Sequence, residues 1–208
     1  MTEPTDWTAY YQRTPSYTKI TRSISTRKII GVLKAEAARD PIDICELGGA
    51  NSCFVDDICS QIDVSAYHVV DMNAFGLSLL EKKSPNCRLT YEQGDVLASY
   101  DGSRQFDVVY SVGLIEHFAP ADTKRAIASH FQRCKNGGLV LITFPTPTPL
   151  YRTIRAFAEA AGKWSFPDER PLQFDEVRTA CVPFGTVVHE SINWPILLTQ
   201  GYMAVRKP

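Results

Sequence analysis

The fold of this chain is decided by the stretch Ile42-Asp43-Ile44-Cys45-Glu46-Leu47-Gly48-Gly49-Ala50-Asn51-Ser52. A short apolar strand ends in the carboxylate of Glu46, turns at Gly48 and Gly49, and enters a segment that predicts a helix. Glycine lets the backbone approach a ligand closely, and a helix N-terminus offers free N–H groups, so this pattern is typical of a nucleotide pocket in an open α/β sheet. The carboxylate suits a cationic amino group and would repel a pyrophosphate. The predicted ligand is therefore an adenosyl group with an amino-acid tail rather than a dinucleotide.

Alternating strands and helices continue along the chain. Strands are predicted at 42–46, 67–71, 88–91, 106–111 and 138–144. Helices are predicted at about 16–38, 51–62, 74–83 and 120–135, the last ended by Asn136-Gly137-Gly138. This alternation requires a parallel sheet with helices on both faces.

The last quarter of the chain predicts a pair of strands that run in opposite directions. After helices at about 148–162 and 174–181, the β-like segments 185–192 and 201–206 are separated by about eight residues. That connection is too short for a parallel crossover, so the two segments should pair antiparallel. The predicted fold class is α/β, a single-domain, Rossmann-like doubly wound sheet over residues 1–208 that is mostly parallel with an antiparallel C-terminal strand.

Composition excludes several classes of protein. The 208 residues carry 22 basic and 23 acidic side chains, a balance that gives no reason to expect a nucleic-acid partner. No apolar run approaches the ~20 residues of a membrane span, and the N-terminus lacks the regions of a signal peptide. The six cysteines form no CxxC pair, which indicates reduced thiols in a cytoplasmic protein and no metal site. The oligomeric state is left open.

From about residue 25 onward the chain resembles the class I S-adenosylmethionine (SAM) methyltransferases, whose seven-stranded sheet ends in such an antiparallel pair. Four segments carry the resemblance, in the family's order: 46–52, 67–71, 91–96 and 106–118. The family places glycine at alternate positions after the acidic residue, whereas this chain has Ala50 and Ser52 at the last two. The resemblance implies SAM as the cofactor and S-adenosylhomocysteine (SAH) as its product.

The cofactor-binding residues follow from that resemblance, with one supported independently by spacing. Asp71 closes the second strand about 23 positions after Gly48, near the ~20-residue offset at which a carboxylate binds ribose hydroxyls. The resemblance implies that one set of residues contacts the methionine end, the ribose and the adenine of SAM and forms the wall of its pocket. These residues are Glu46, Gly48, Gly49, Asn51, Asp71, Met72, Asp95, Val96, Ser111 and Val112.

The acceptor side of the site is predicted from three segments: the loop that contains His117, the N-terminal arm, and the loop 146–152 after the fifth strand. His117 is the candidate general base, because its ordinary pKa lies near neutral pH, and a structural role for it is the alternative. Glu116 is the second choice for the base. The aromatic N-terminal arm, residues 1–24, is predicted to be a lid or else an ordinary packed arm. The residues expected to contact the acceptor are Tyr11, Arg13, His117, Tyr151 and Arg152.

The predicted reaction is transfer of a methyl group to a small polar acceptor. The preferred acceptor is an oxygen of a sugar or phosphorylated intermediate of surface-glycan or secondary-metabolite biosynthesis, and N-methylation of a small amine is second. Two other classes stay open: an NAD-dependent oxidoreductase, and a non-catalytic SAM-binding partner subunit. The placement of Glu46 and the missing third glycine of GxGxxG count against the oxidoreductase.

Overall fold

The computed structural model describes residues 3–13, 18–37, 41–194 and 199–208. Its sheet has seven strands in the order β3-β2-β1-β4-β5-β7-β6. The strands are β1 (Ile42–Leu47), β2 (Val64–Asp71), β3 (Arg88–Gln93), β4 (Phe106–Val112), β5 (Cys134–Pro145), β6 (Thr186–Asn193) and β7 (Gln200–Arg206). The α-helices are α1 (Trp7–Gln12), α2 (Thr18–Glu36), α3 (Val55–Gln61), α4 (Ala74–Ser78), α5 (Pro120–Arg133), α6 (Pro149–Ala160) and α7 (Phe174–Cys181).

Strand register brings the predicted site to one edge of the sheet. β1 lies between β2 and β4 and is parallel to both, with Glu46 opposite Val69 on one side and Tyr110 on the other. Because parallel strands share a carboxyl edge, the loops that follow β1, β2 and β4 meet there. β7 runs antiparallel to both β5 and β6, so the predicted antiparallel ending is confirmed.

Two apolar clusters, one on each face, hold the helices to the sheet. Helices α2, α3 and α4 pack on one face, for example through Leu33 and Ile58. Helices α5 and α7 pack on the other, for example through Phe131 and Val177. Such double coverage explains why β1 is buried almost throughout rather than at alternate residues.

Several predicted boundaries were wrong. β2 begins at Val64, before the predicted start, and α4 stops at Ser78 and continues as a 3₁₀ turn over Leu79–Lys82. Helix α2 begins at Thr18, close to the predicted start at about residue 16, so the last part of the predicted arm, residues 1–24, is helical.

The largest of these errors concerns the glycines after α5. The helix ends at Arg133, and Asn136-Gly137-Gly138 lies inside β5 instead of ending the helix. The register between β4 and β5 jumps there, and the positive φ of Gly137 (75°) serves this irregularity. The Gly137 N–H donates to the Lys207 carbonyl at 3.0 Å, so the glycines bind the C-terminal strand rather than cap a helix.

Within the described ranges, no helix combines the length and apolar character needed to cross a bilayer. All six cysteines are free, and the thiols of Cys59 and Cys87 are in contact.

Candidate active site

The carboxylate of Glu46 lies at the centre of a buried hydrogen-bond network where β1 ends. Its side chain is 2% exposed, and Oε2 accepts from the Ser52 hydroxyl and, at 2.7 Å, from the Tyr67 hydroxyl. The Tyr110 hydroxyl in turn hydrogen-bonds to that of Tyr67. Burial raises the pKa of Glu46 to about 7, although the hydrogen bonds from Ser52, Tyr67 and Tyr110 oppose the rise.

The loop after Glu46 keeps a glycine-like backbone at residues that are not glycine. Ala50 and Ser52 have φ values of 28° and 31°, in the region that side chains disfavour. Gly48 has a φ of 69°, and a Cβ on it would lie 2.7 Å from Leu114 Cδ1. Two residues with side chains therefore adopt the left-handed backbone that glycine favours, and the hydrogen bond from Ser52 to Glu46 helps to offset the strain.

Asp71 joins this loop to the end of β2. One carboxylate oxygen accepts from the Ala50 N–H at 3.0 Å and the other from the Asn73 N–H at 2.7 Å. Burial is the largest influence on Asp71 and raises its pKa, while these backbone bonds lower it. The structure thus brings Glu46 and Asp71 to the same edge of the sheet, on either side of the loop that follows β1, residues 48–52, which is called the opening loop.

The other predicted cofactor residues lie around this edge with different exposures. Met72 is 64% exposed, and Asn51 is half-buried in the loop. Asp95 is exposed and accepts from the Leu97 N–H at 2.8 Å, whereas Val96 is buried in the core cluster of α5 and α7. These residues border the carboxyl edge at β2 and β3.

The two predicted residues at the end of β4, Ser111 and Val112, differ in how far their side chains are buried. The Ser111 side chain is fully buried and hydrogen-bonds to His130 Nε2 at 2.9 Å. His130 Nδ1 also contacts the Ala126 carbonyl at 2.7 Å, in keeping with the structural role of that histidine. Only the main chain of Ser111 is left to face a ligand, whereas Val112 is half-buried beside the loop.

His117 forms a histidine–carboxylate pair with a residue that the sequence reading did not single out. Its Nδ1 lies 3.0 Å from Asp168 Oδ1, and Asp168 also accepts from the N–H (3.1 Å) and hydroxyl of Thr5. Burial lowers the pKa of His117, against the opposing effect of Asp168. A neutral ring that donates from Nδ1 leaves Nε2 with a free lone pair.

A pocket of about 790 Å³ opens beside His117, between α6 and the loop that contains Asp168. His117, Tyr151 and Arg152, three of the five residues predicted to contact the acceptor, line this pocket. Tyr11 and Arg13 are not among its lining residues. Tyr11 instead packs against α4, where a Cβ on Gly76 would lie 3.0 Å from its ring and 2.6 Å from Ala50 Cβ.

Helix α1 spans both halves of the site. Trp7 packs edge-on against His117, with ring centroids 4.9 Å apart, and also contacts Phe166 and Tyr11. On the cofactor side, Asn73 Nδ2 donates to the Thr8 hydroxyl at 2.9 Å. The arm therefore touches the loops after β2 and β4 as well as the 163–173 segment.

The sequence reading missed the acidic pair Asp168-Glu169. Glu169 accepts from the Tyr151 hydroxyl and lies near Arg155, with 3.8 Å between Nη1 and Oε1. Both acidic residues lie in an irregular, proline-rich loop without periodicity. Their adjacency in a segment that follows the predicted acceptor wall was the one available signal.

Comparisons with known proteins give one match to a family model. Residues 44–138 match the sequence model of a family described as methyltransferase domain. No curated protein gives a significant match.

The solved structures with this fold include several methyltransferases. Magnesium protoporphyrin IX methyltransferase from Synechocystis PCC 6803, with bound SAH, has a TM-score of 0.72 at 8% identity, covering 91% of this chain and 84% of that one. N-methyltransferase NodS from Bradyrhizobium japonicum WM9, in complex with SAH, has a TM-score of 0.63 at 13% identity, covering 88% and 87%. An O-methyltransferase family protein from Burkholderia thailandensis has a TM-score of 0.61 at 12% identity, covering 88% and 56%.

The matched segment runs from β1 into β5 and contains every residue assigned to the cofactor. Residues 44–138 are therefore similar to a methyltransferase domain, and the seven-stranded sheet has the fold of solved methyltransferases that bind SAM or SAH.

Proposed function

We propose that this enzyme transfers the methyl group of SAM to an oxygen of a small polar acceptor, such as a sugar or a phosphorylated intermediate. The observation that supports the proposal is the pocket beside His117, because its lining includes the charged side chains of Arg152 and Arg155. Arg155 is paired with Glu159 at 2.7 Å, whereas Arg152 has no ion-pair partner among the described residues. An arginine without a carboxylate partner suits an anionic group on the acceptor.

The residues at the sheet edge fit the cofactor. The buried carboxylate of Glu46 suits the ammonium group of its methionine end, and Asp71 suits two neighbouring ribose hydroxyls. A Cβ on Gly49 would lie 2.6 Å from the Glu46 carboxyl carbon, so the loop needs glycine there to pass this close.

Chemically, the chain has to align two reactants and keep water away. When bound, SAM supplies an electrophilic methyl group: a C–O bond to the acceptor forms as the S–CH₃ bond breaks, the electron pair stays on sulfur, and the hydroxyl proton is released. The pocket positions the acceptor next to the loop after β4, and α1 covers the site. The role of His117 as a general base stays a prediction.

Removing the unpaired arginine tests the acceptor class. Arg152→Ala should raise KM for a phosphorylated acceptor about tenfold, because one charge-assisted contact is lost, and leave SAH affinity unchanged. Methyl transfer from labelled SAM to sugar phosphates, nucleotide sugars and free sugars measures this. Arg27→Ala, an exposed arginine on α2, is the control. Equal KM values for wild type and Arg152→Ala would contradict the anionic acceptor.

N-methylation of a small amine is the second candidate, favoured by the acidic side chains near His117. Asp168 and Glu169 line the same pocket and would suit a cationic acceptor. A panel that includes amines decides between the two, because methylated amine without methylated sugar would replace the first proposal with the second.

The lid role of the arm gives a separate prediction. Trp7→Ala removes the ring that contacts His117, Phe166 and Tyr11, interactions worth roughly 0.5–1.5 kcal/mol per aromatic pair. Backbone amides of residues 5–12 should then exchange hydrogen about tenfold faster, and SAH should bind several-fold more weakly. Hydrogen exchange with and without SAH measures both effects. Trp194→Ala, at a tryptophan that is 59% exposed, is the matched control; SAH affinity unchanged in Trp7→Ala would contradict the lid.

A further inference from the structure

Two separate loops bring three metal-ligand side chains together beside the acceptor pocket. A ring nitrogen of His117 and one carboxylate oxygen each from Glu116 and Glu169 all lie within 4.8 Å of one another. Glu116 is only 2% exposed, and its Oε2 has no hydrogen-bond partner in the described part of the chain. A buried carboxylate oxygen without a donor is costly, which indicates that something else binds it.

We propose that Glu116, His117 and Glu169 bind one divalent cation of the Mg²⁺ or Mn²⁺ type. Two carboxylates and one imidazole form a donor set suited to such cations. Atoms on opposite sides of a cation that binds at 2.0–2.6 Å are about 4–5 Å apart, which agrees with the observed spread. The cation would also offset the repulsion between two carboxylates that lie close together away from water.

The surroundings of these three residues resemble the support that metal ligands usually have. Asp168 binds His117 Nδ1 at 3.0 Å, which fixes the ring and leaves Nε2 free. The Tyr151 hydroxyl donates to Glu169, and Arg155 Nη1 lies 3.2 Å from that hydroxyl. The side chains of His117 and Glu169 are therefore each held by a hydrogen bond to a neighbouring side chain.

This inference rests on the proposed function and narrows its substrate. Three protein ligands do not fill the coordination shell of such a cation, so oxygens of an acceptor in the pocket that His117 and Glu169 line would complete it. When bound, the cation would lower the pKa of a coordinated acceptor hydroxyl, whose proton would then pass to water. His117 is then a metal ligand, and the free imidazole is not the general base.

Manganese binding by the full chain, without SAM, tests the site. The electron paramagnetic resonance signal of free Mn²⁺ should show one ion bound per chain in the wild type. Glu116→Gln and Glu169→Gln should each weaken binding at least about tenfold, since each removes one charged ligand. Glu159→Gln is the matched control, because Glu159 lines the same pocket and lies outside the cluster.

The outcomes separate this inference from the proposed function. Absence of Mn²⁺ binding by the wild type, or equal binding by both cluster variants and Glu159→Gln, would overturn the metal site. SAH affinity is measured on the same samples. If the wild type binds SAH but does not bind Mn²⁺, the metal site is wrong and the methyltransferase proposal is unaffected. If the wild type does not bind SAH, the methyltransferase proposal is contradicted. Because Glu116 is buried, circular dichroism checks folding, and Glu169→Gln on the other loop gives the independent variant.

Discussion

Replacing Asp71 with alanine should weaken SAM binding about 100-fold. In the proposed cofactor site the carboxylate would accept from two ribose hydroxyls, and hydrogen bonds to a charged group contribute about 1.5–3 kcal/mol each. A loss of about 3 kcal/mol corresponds to a factor of about 100. Alanine also removes the acceptor for the N–H groups of Ala50 and Asn73, so the opening loop loses its attachment to β2.

A second substitution separates these two effects. Asp71→Asn keeps one acceptor oxygen at nearly the same size, so it should bind SAH about tenfold more tightly than Asp71→Ala. Isothermal titration with SAH measures all the variants, and Asp57→Ala, at an exposed aspartate in the first turn of α3, is the control. Unchanged affinity in Asp71→Ala would show that another residue binds the ribose.

Most of the fold could be predicted because local patterns and short connections decide it. The period of each segment distinguishes strands from helices, and the short connection before β7 requires an antiparallel pair. The error at Asn136-Gly137-Gly138 has a physical reason. A glycine with positive φ serves equally well after a helix or inside an irregular strand, and only contact with Lys207 selects the second.

The two halves of the site differed in how far the sequence could predict them. Glu46 lies near the end of β1 and Asp71 ends β2, so the parallel sheet itself brings them to the same edge. The contact between His117 and Asp168 joins residues 51 positions apart, and Thr5 reaches Asp168 across 163 positions. No period connects such segments, so the acidic pair beside His117 becomes visible only in three dimensions.

The contrast also shows how each half is built. The proposed cofactor side consists of backbone turns at strand ends, where the parallel sheet sets the position of each residue. The proposed acceptor side consists of side chains from α1, the loop after β4 and the 163–173 segment, all of which meet at His117. We therefore expect substitutions on the acceptor side to change the choice of acceptor while leaving the sheet and the opening loop unaltered.

Glu46→Gln should remove a pH dependence of both stability and cofactor binding. The folded-state pKa of Glu46 is about 7, above the ordinary 4.5, because the carboxyl group is buried. The folded chain thus retains a proton that the unfolded chain releases, so stability falls as pH rises from about 4.5 to 7. The wild type should lose on the order of 3 kcal/mol over this range through Glu46, and the neutral glutamine should not.

Cofactor binding should depend on the same proton in the opposite direction. Ionised Glu46 attracts the ammonium group of the methionine end, so wild-type affinity for SAH should rise about tenfold between about pH 5.5 and about pH 7.5. Glu46→Gln should bind weakly at both values. Titration calorimetry and urea unfolding at the two pH values measure affinity and stability. Asp71 also carries a raised pKa, so an equal pH dependence in Glu46→Gln and wild type would assign the effect to Asp71 and contradict the ammonium contact of Glu46.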